Sequence, residues 1–265
     1  MTSCQLSGKP QLWTLSLLMC PLKANEEPLY PGSTEGIVSD SVQFVDKGVD
    51  RSSRCGGVCL LSSVSCLSAS LTLSVLWPSG SMAGQTSLDR LPPLVVFVYG
   101  SAWSTGHRSI YCLLATQMAE ELNAAVICPD YSTFSKGNVL MMVQDVADSF
   151  IWAQENGPKF RFDKDNIVLV GHSAGAHLAA MTTLFLLDTR EELLIESKKQ
   201  QEIIRSLKGV IGMSGVYSIM DHHEHEKTRG IEYISCMSRA MNGKENFRHY
   251  SPVHVVKNLS SDKLS

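Results

Sequence analysis

The chain has almost no charge bias. Its 265 residues carry 23 Lys and Arg against 26 Asp and Glu, a formal net charge of −3, and no basic block stands out. Polyanions are held by clustered cations, so this balance argues against nucleic acid as a partner. A disulfide framework is also missing. Five of the eight cysteines (Cys4, Cys20, Cys55, Cys59, Cys66) lie in the first quarter, and only Cys112, Cys128 and Cys236 follow. Cys112 and Cys128 fall in apolar helix and strand patterns, where free buried thiols are the ordinary reading. Together these cysteines fit a reducing, intracellular compartment. Cys55-x-x-x-Cys59 has no second pair at metal-ligand spacing, so neither a metal nor any other cofactor is assigned. The run from Leu12 to Leu22 follows a single Lys9 and matches a secretory signal poorly. Cys55 to Trp77 carries no charge over 23 residues, long enough to span a bilayer. Six of those residues are serine, and Gly56 and Gly57 are adjacent, so hydropathy is marginal for insertion. A membrane anchor and a buried or irregular segment both stay open there, and the composition favours the second.

What is present begins near residue 91. Residues 1–90 are rich in Ser, Gly and Cys, show no sustained helix or strand period, and are read as an atypical region, partly disordered or membrane-associated. Residues 91–265 read as one α/β domain. Leu94 to Tyr99 is a wholly apolar β-type run, as expected of a strand buried on both faces. His107 to Leu122 has helical spacing, with Ile110, Leu113, Leu114, Met118 and Leu122 on one side. Ala124 to Cys128 reads as a strand, Val139 to Gln154 as a helix with Met142, Val146, Phe150 and Ala153 inward, and Asn166 to Val170 as a strand. Ala174 to Leu187 and Glu196 to Ser206 read as helices, and Gly209 to Met213 as a further strand. Asp221 to Tyr250 is charged and irregular, with short helices at most. Strands alternating with helices specify a mostly parallel sheet with helices on both faces. Sites in such sheets open at the carboxyl ends of the strands. That edge would collect Tyr99-Gly100, Pro129-Asp130, His172-Ser173 and Ser214-Gly215.

Gly171-His172-Ser173-Ala174-Gly175 sits between an apolar strand and an Ala-rich helix. A G-x-S-x-G in that context reads as a nucleophile elbow. The turn is tight, so Gly171 and Gly175 give the backbones room to approach. The strained bend pushes the Ser173 hydroxyl into the open, and the N–H groups of the new helix face any negative charge that forms there. Serine needs a base to take its proton and donors to receive the oxyanion. Ala174 N–H is one expected donor. The second comes from the loop after an earlier strand, where Tyr99-Gly100-Ser101-Ala102-Trp103 stands about 70 residues upstream. Gly100 and Ser101 N–H are the candidates. A serine at position 101 would cost on the order of 1 kcal/mol if that site requires positive φ, and would displace the hole.

Residues 94–256 resemble an α/β-hydrolase branch that contains isoprenylcysteine methylesterases, kynurenine formamidase and bacterial feruloyl-esterase-like enzymes. The carrying motifs are Tyr99 to Trp103, Pro129-Asp130-Tyr131, Asp145-Val146-Ala147 with Trp152, Gly171 to Leu178, and Tyr250-Ser251-Pro252. The Gly-x-Ala-Trp loop and the Gly-Ala-His-Leu continuation are most similar to isoprenylcysteine methylesterases. The resemblance implies an α/β-hydrolase fold, Ser173 as nucleophile, oxyanion donors at Gly100, Ser101 and Ala174, and support from Gly171, His172, Gly175 and Trp103. It gives His177 a packing and hydrogen-bonding role. It further implies a carboxyl methyl ester on a prenylated cysteine as substrate and an association with endoplasmic-reticulum or Golgi membranes.

The sequence departs from that pattern at its end. The fold's chain order is Ser, then Asp or Glu, then His, each of the last two after a further strand. No such strand follows Pro252, Val253 to Val256 is short, and no histidine follows Asp262. The reading is therefore a hydrolase domain lacking its last two strands. His254 with Asp221 as orienter fits the chain order as a substitute dyad. Asp221-His222-His223-Glu224-His225 invites a metal but reads better as a solvated loop. Three functions stay open: an ester hydrolase acting through an acyl-enzyme on Ser173, a formamidase-type amide hydrolase, and a catalytically incompetent chain that acts only by binding.

Overall fold

The computed structural model describes residues 15–18, 59–65, 70–78 and 91–259. Seven strands form one sheet, in the spatial order β1-β7-β6-β4-β5-β3-β2. The strands are β1 (Leu15–Leu18), β2 (Cys59–Ser65), β3 (Ser70–Leu76), β4 (Pro93–Val98), β5 (Ala125–Pro129), β6 (Asp163–His172) and β7 (Leu207–Met213). From β1 to β5 across the sheet all pairings are parallel; β3 is antiparallel to both β5 and β2. Among the described residues no strand follows β7 in sequence.

The sequence analysis foresees no strand before Leu94, and the structure corrects this. β2 and β3 lie within the uncharged Cys55–Trp77 stretch and pair as a hairpin, Cys59 opposite Leu76 through Ser65 opposite Ser70. Serines interleaved with Leu and Val hide the strand from a search for unbroken apolar runs. Leu73, Val75, Leu76 and Trp77 are buried all the same, and Trp77 Nε1–H donates to the Phe160 carbonyl at 3.0 Å. Among the described residues no helix is long and apolar enough to cross a membrane.

β4 and β5 are apolar throughout because both faces of the sheet are covered there. Leu94 to Val98 and Ala125 to Cys128 are all buried. The helices are α1 (Cys112–Leu122), α2 (Val139–Phe160), α3 (Ala174–Asp188), α4 (Ser197–Ser206), α5 (Ile219–Thr228), α6 (Met237–Ala240) and α7 (Pro252–Asn258). α2 runs to Phe160, past the expected end at Gln154. Asn138 caps its start through Oδ1, which accepts from Met141 N–H at 3.1 Å. The residue that ends it, Arg161, has a left-handed φ of 56°. The stretch after Asp221 is more ordered than the sequence suggests. Ser218 caps α5, so the histidine cluster is helical rather than a loop, and Val253 to Val256 belong to α7.

α1 turns only part of the expected stripe inward: Met118 packs against the core, but the leucines do not lead it. Its buried residues are Ala115 and Ala119, whereas Leu113 is 82% and Ile110 70% exposed. Alanine lets the helix axis approach β5 closely, a distance that leucine would not permit. Leu113 therefore stabilises little. Leu113→Gln is expected to change unfolding free energy by less than about 0.5 kcal/mol, as a surface substitution does. A urea midpoint that falls by the amount of a core truncation would show that this face is covered.

Topology places the site. The connection leaving β4 runs through α1 to β5, toward one edge of the sheet. The connection leaving β6 runs through α3 and α4 to β7, toward the other edge. β4 and β6 are neighbours, so the strand order reverses between them. A crevice opens outside their carboxyl ends, where ligands of such sheets bind.

Candidate active site

Ser173 stands at the end of β6 and caps α3, with φ 53° and ψ −120°. This is a positive-φ conformation that L-residues avoid, at a cost on the order of 1–3 kcal/mol. The neighbours show why it persists. A Cβ on Gly175 would lie 2.1 Å from the Val98 carbonyl oxygen, and one on Gly171 would lie 2.5 Å from the Gly175 carbonyl oxygen. Only glycine lets β6, the bend and α3 pack this closely against the end of β4. Ser173 N–H donates to the Met213 carbonyl at 2.8 Å, tying the bend to β7. The residue is half-buried, not sealed in. Ala174 begins α3, so the intrahelical ladder leaves its N–H without a partner.

The loop after β4 reaches the same point. A Cβ on Gly100 would sit 2.8 Å from Ser173 Cβ and 2.9 Å from both His172 Nδ1 and the His172 carbonyl oxygen. Gly100 is therefore the place where the two loops touch. The strain anticipated at Ser101 falls elsewhere: Ala102 (φ 47°) and Trp103 (φ 60°) take the left-handed conformation, and Ser101 does not. The Ser101 carbonyl instead accepts from Ser104 N–H at 3.1 Å and Thr105 N–H at 3.0 Å, closing the turn. Ser101 is buried, and its hydroxyl bonds the phenol of Tyr131.

His177 locks three segments together. It is fully buried on α3; Trp103 Nε1–H donates to its Nδ1 at 3.1 Å, and its own Nε2–H donates to the Tyr250 carbonyl at 2.8 Å. A carbonyl only accepts and an indole N–H only donates, so Nε2 carries the proton, Nδ1 carries none, and the ring is neutral. Burial pushes its pKa down to about 4. This is the packing and hydrogen-bonding role expected of it, and it explains why Trp103 belongs to the loop.

Asp130, at the end of β5, organises the other flank. It accepts from Tyr99 O–H at 3.1 Å and Arg108 N–H at 2.9 Å, pairs with the Arg108 guanidinium, and lies 3.2 Å from His107 Nε2. Arg108 is itself buried and reaches Ser74 Oγ on β3 at 3.1 Å. Sequence reasoning treated Pro-Asp-Tyr as a motif without assigning this work. The apolar run ending at Asp130 was the available signal, because a lone acid at a buried strand end needs a partner.

The His254–Asp221 pair that fits the chain order makes no hydrogen bond or ion pair among the described residues. Asp221 is exposed at the start of α5. His254 lines a cavity of about 450 Å³ with Arg190, Arg248, His249, Lys257 and Asn258. Arg190 follows the C-terminal end of α3, and a helix of that length separates it from Ser173 by about 22 Å. His222 packs edge-on to Trp103, with ring centroids 6.2 Å apart, and lies 3.5 Å from Glu226. Burial lowers its pKa. Among the described residues no side chain hydrogen-bonds the Ser173 hydroxyl, and no three His, Cys, Asp or Glu side chains are placed to hold a metal. Asp262 lies outside the described residues.

The BD-FAE family model matches residues 85–263. The chain belongs to the BD-FAE family. Among its relatives, a probable isoprenylcysteine alpha-carbonyl methylesterase of Arabidopsis thaliana is 35% identical over 179 residues, 67% of this chain and 40% of that protein. A second Arabidopsis thaliana protein, an isoprenylcysteine alpha-carbonyl methylesterase, is 36% identical over 164 residues, 62% of this chain and 37% of its own. The BD-FAE chain thus spans about 40% of the length of these relatives. Esterase B from Lactobacillus rhamnosis, solved with an inhibitor, aligns with TM-score 0.57 and 21% identity over 71% of this chain and 58% of its own. One of two fungal esterases from Rhizomucor miehei gives 0.58 and 18% over 78% and 61%. These likenesses establish the α/β-hydrolase fold.

Proposed function

We propose that this BD-FAE chain carries the acyl-transfer half of a serine carboxylic ester hydrolase, with Ser173 as the nucleophile that forms an acyl-enzyme. The observation that carries this reading is Ser173 itself: half-exposed, at positive φ, with Gly100 against its Cβ and the start of α3 behind it. In the reaction the Ser173 oxygen attacks the ester carbonyl carbon. The carbonyl oxygen becomes an oxyanion, facing the N–H groups of Ala174, Gly100 and Ser101. The Ser173 proton passes to solvent water, the tetrahedral intermediate collapses by breaking the bond to the alkoxide, which takes a proton from water and leaves as the alcohol, and a further water hydrolyses the acyl-enzyme to release the acid and restore the hydroxyl. Relatives named as isoprenylcysteine methylesterases support a methyl ester on a prenylated cysteine as the substrate class. A formamide would pass through the same intermediate. Among the described residues no acid or base side chain hydrogen-bonds the Ser173 hydroxyl, which supports slow turnover, or binding without turnover, for this chain. Losing triad members still leaves roughly 10³–10⁴-fold catalysis over water from the hole and binding alone.

A fluorophosphonate probe tests the reading. Ser173 is expected to be phosphonylated slowly, over hours where complete serine hydrolases react in minutes, and Ser173→Ala to remove the label. Mass spectrometry locating the adduct on another serine, or no adduct at all, would overturn it.

A further inference from the structure

Two tyrosine hydroxyls hold three consecutive residues of the loop after β4 from behind. Tyr131 O–H donates to the Tyr99 carbonyl at 3.0 Å. A phenol has one proton, so in the bond between Tyr131 and Ser101 it is Ser101 Oγ–H that donates. Tyr111 O–H donates to the Gly100 carbonyl at 3.1 Å, and its oxygen lies 3.4 Å from His172 Nδ1. A trans peptide is planar, with its C=O and N–H pointing in opposite directions. Fixing the Tyr99 carbonyl therefore fixes the N–H of Gly100, and fixing the Gly100 carbonyl fixes the N–H of Ser101. No hydrogen bond among the described residues uses either N–H. Both belong to the loop that touches Ser173.

We propose that Tyr111 and Tyr131 are positioning residues of the oxyanion hole, which aim the Gly100 and Ser101 amides before any substrate arrives. This rests on Ser173 being the nucleophile. The rings cannot turn away easily. Tyr99 is stacked against Tyr131 with centroids 4.7 Å apart and against Tyr111 at 5.8 Å, and Asp130 holds the Tyr99 hydroxyl. Burial also raises the Tyr131 phenol well above its ordinary range, which keeps its proton in place. Ser101 acquires a purpose here that glycine could not serve. Its hydroxyl is a third anchor, committed to Tyr131, so Ser101 offers the oxyanion only its backbone amide. Donors aimed in advance need no reorganisation as charge develops, which is where such a hole gains its effect.

The test uses the full chain and the variants Tyr111→Phe, Tyr131→Phe and Ser101→Ala. Two quantities are read: the rate of Ser173 phosphonylation by a fluorophosphonate, and the affinity for a trifluoromethyl ketone against that for the matching unreactive amide. Each Phe variant is expected to slow phosphonylation about 10- to 100-fold, less than the 10²–10³ that removing a donor costs. The ketone, which forms an oxyanion adduct, should weaken alongside, while the amide affinity stays within about twofold. Ser101→Ala should fall between wild type and Tyr131→Phe. Phe variants that react at the wild-type rate would overturn the proposal. So would variants that lose amide and ketone affinity equally, since that marks a disturbed pocket and not misdirected donors. If the wild-type chain takes no label on Ser173, the nucleophile assignment itself fails.

Discussion

Asp130→Ala is expected to destabilise the protein by about 3 kcal/mol, at the lower end of what breaking a buried ion pair costs, because Asp130 keeps some contact with solvent. The reason lies in what it leaves behind. The Arg108 guanidinium is buried and would lose its carboxylate, Arg108 N–H would lose its acceptor, and the Tyr99 hydroxyl would lose the bond that orients its ring. Asp130→Asn separates these contributions. It is nearly isosteric and keeps an acceptor for the N–H and the phenol, but gives up the charge. Urea unfolding of the three proteins should rank them wild type, Asn, Ala. An alanine variant within about 0.5 kcal/mol of wild type would mean that Arg108 finds an equivalent partner and that Asp130 is not the hub of this flank.

The second large effect is acid sensitivity through His177. Its folded pKa is about 4, below the 6.5 of a free imidazole, because burial disfavours the charged ring. Between those values the unfolded chain binds a proton that the folded chain refuses. Stability therefore falls as pH drops from 6.5 toward 4, by about 3 kcal/mol when complete, and this site contributes no pH dependence above 6.5. The lowered values of His107 and His222 act in the same direction. The Asp145 carboxyl, raised by burial, acts in the opposite direction. Comparing wild type with His177→Gln isolates the one group. The variant should be less stable at pH 7, and its unfolding free energy should vary less between pH 4.5 and 6.5. Parallel pH profiles for the two proteins would show that His177 does not titrate across that window.

The elbow was legible because its signal is local. An apolar strand, two glycines around a serine and an Ala-rich helix lie within some twenty residues, and each is required by the same tight bend. The buried strands β4 and β5 were legible for a related reason: a strand covered on both faces must be apolar at every position. What escaped depends on contacts distant in sequence. In the β2–β3 hairpin, Ser70-Leu71-Thr72-Leu73-Ser74-Val75 does alternate polar with apolar, but Cys59–Ser65 does not, and the uncharged stretch that contains both drew a membrane reading instead. In α1 the leucines suggested the inner face, yet the close approach to β5 selects the alanines. Tyr111 and Tyr131 are ordinary residues in sequence and meet the oxyanion loop only through chain reversals. An acid and a base were illegible after the elbow because no further strand carries them in the usual order, and among the described residues neither His254 nor Asp221 hydrogen-bonds Ser173.

The order of strands across the sheet constrains how the chain can acquire its shape during synthesis. β3 is made before β4, yet its inner neighbour is β5, and β4 finds its other neighbour only in β6. The Ser70–Leu76 segment leaves the ribosome with an apolar face and must wait for more than fifty further residues before Ala125–Pro129 can receive it. Long-range pairings of this kind form slowly and leave sticky intermediates. Nascent chains stalled just short of Pro129 should therefore recruit holding chaperones more strongly than chains stalled after His172.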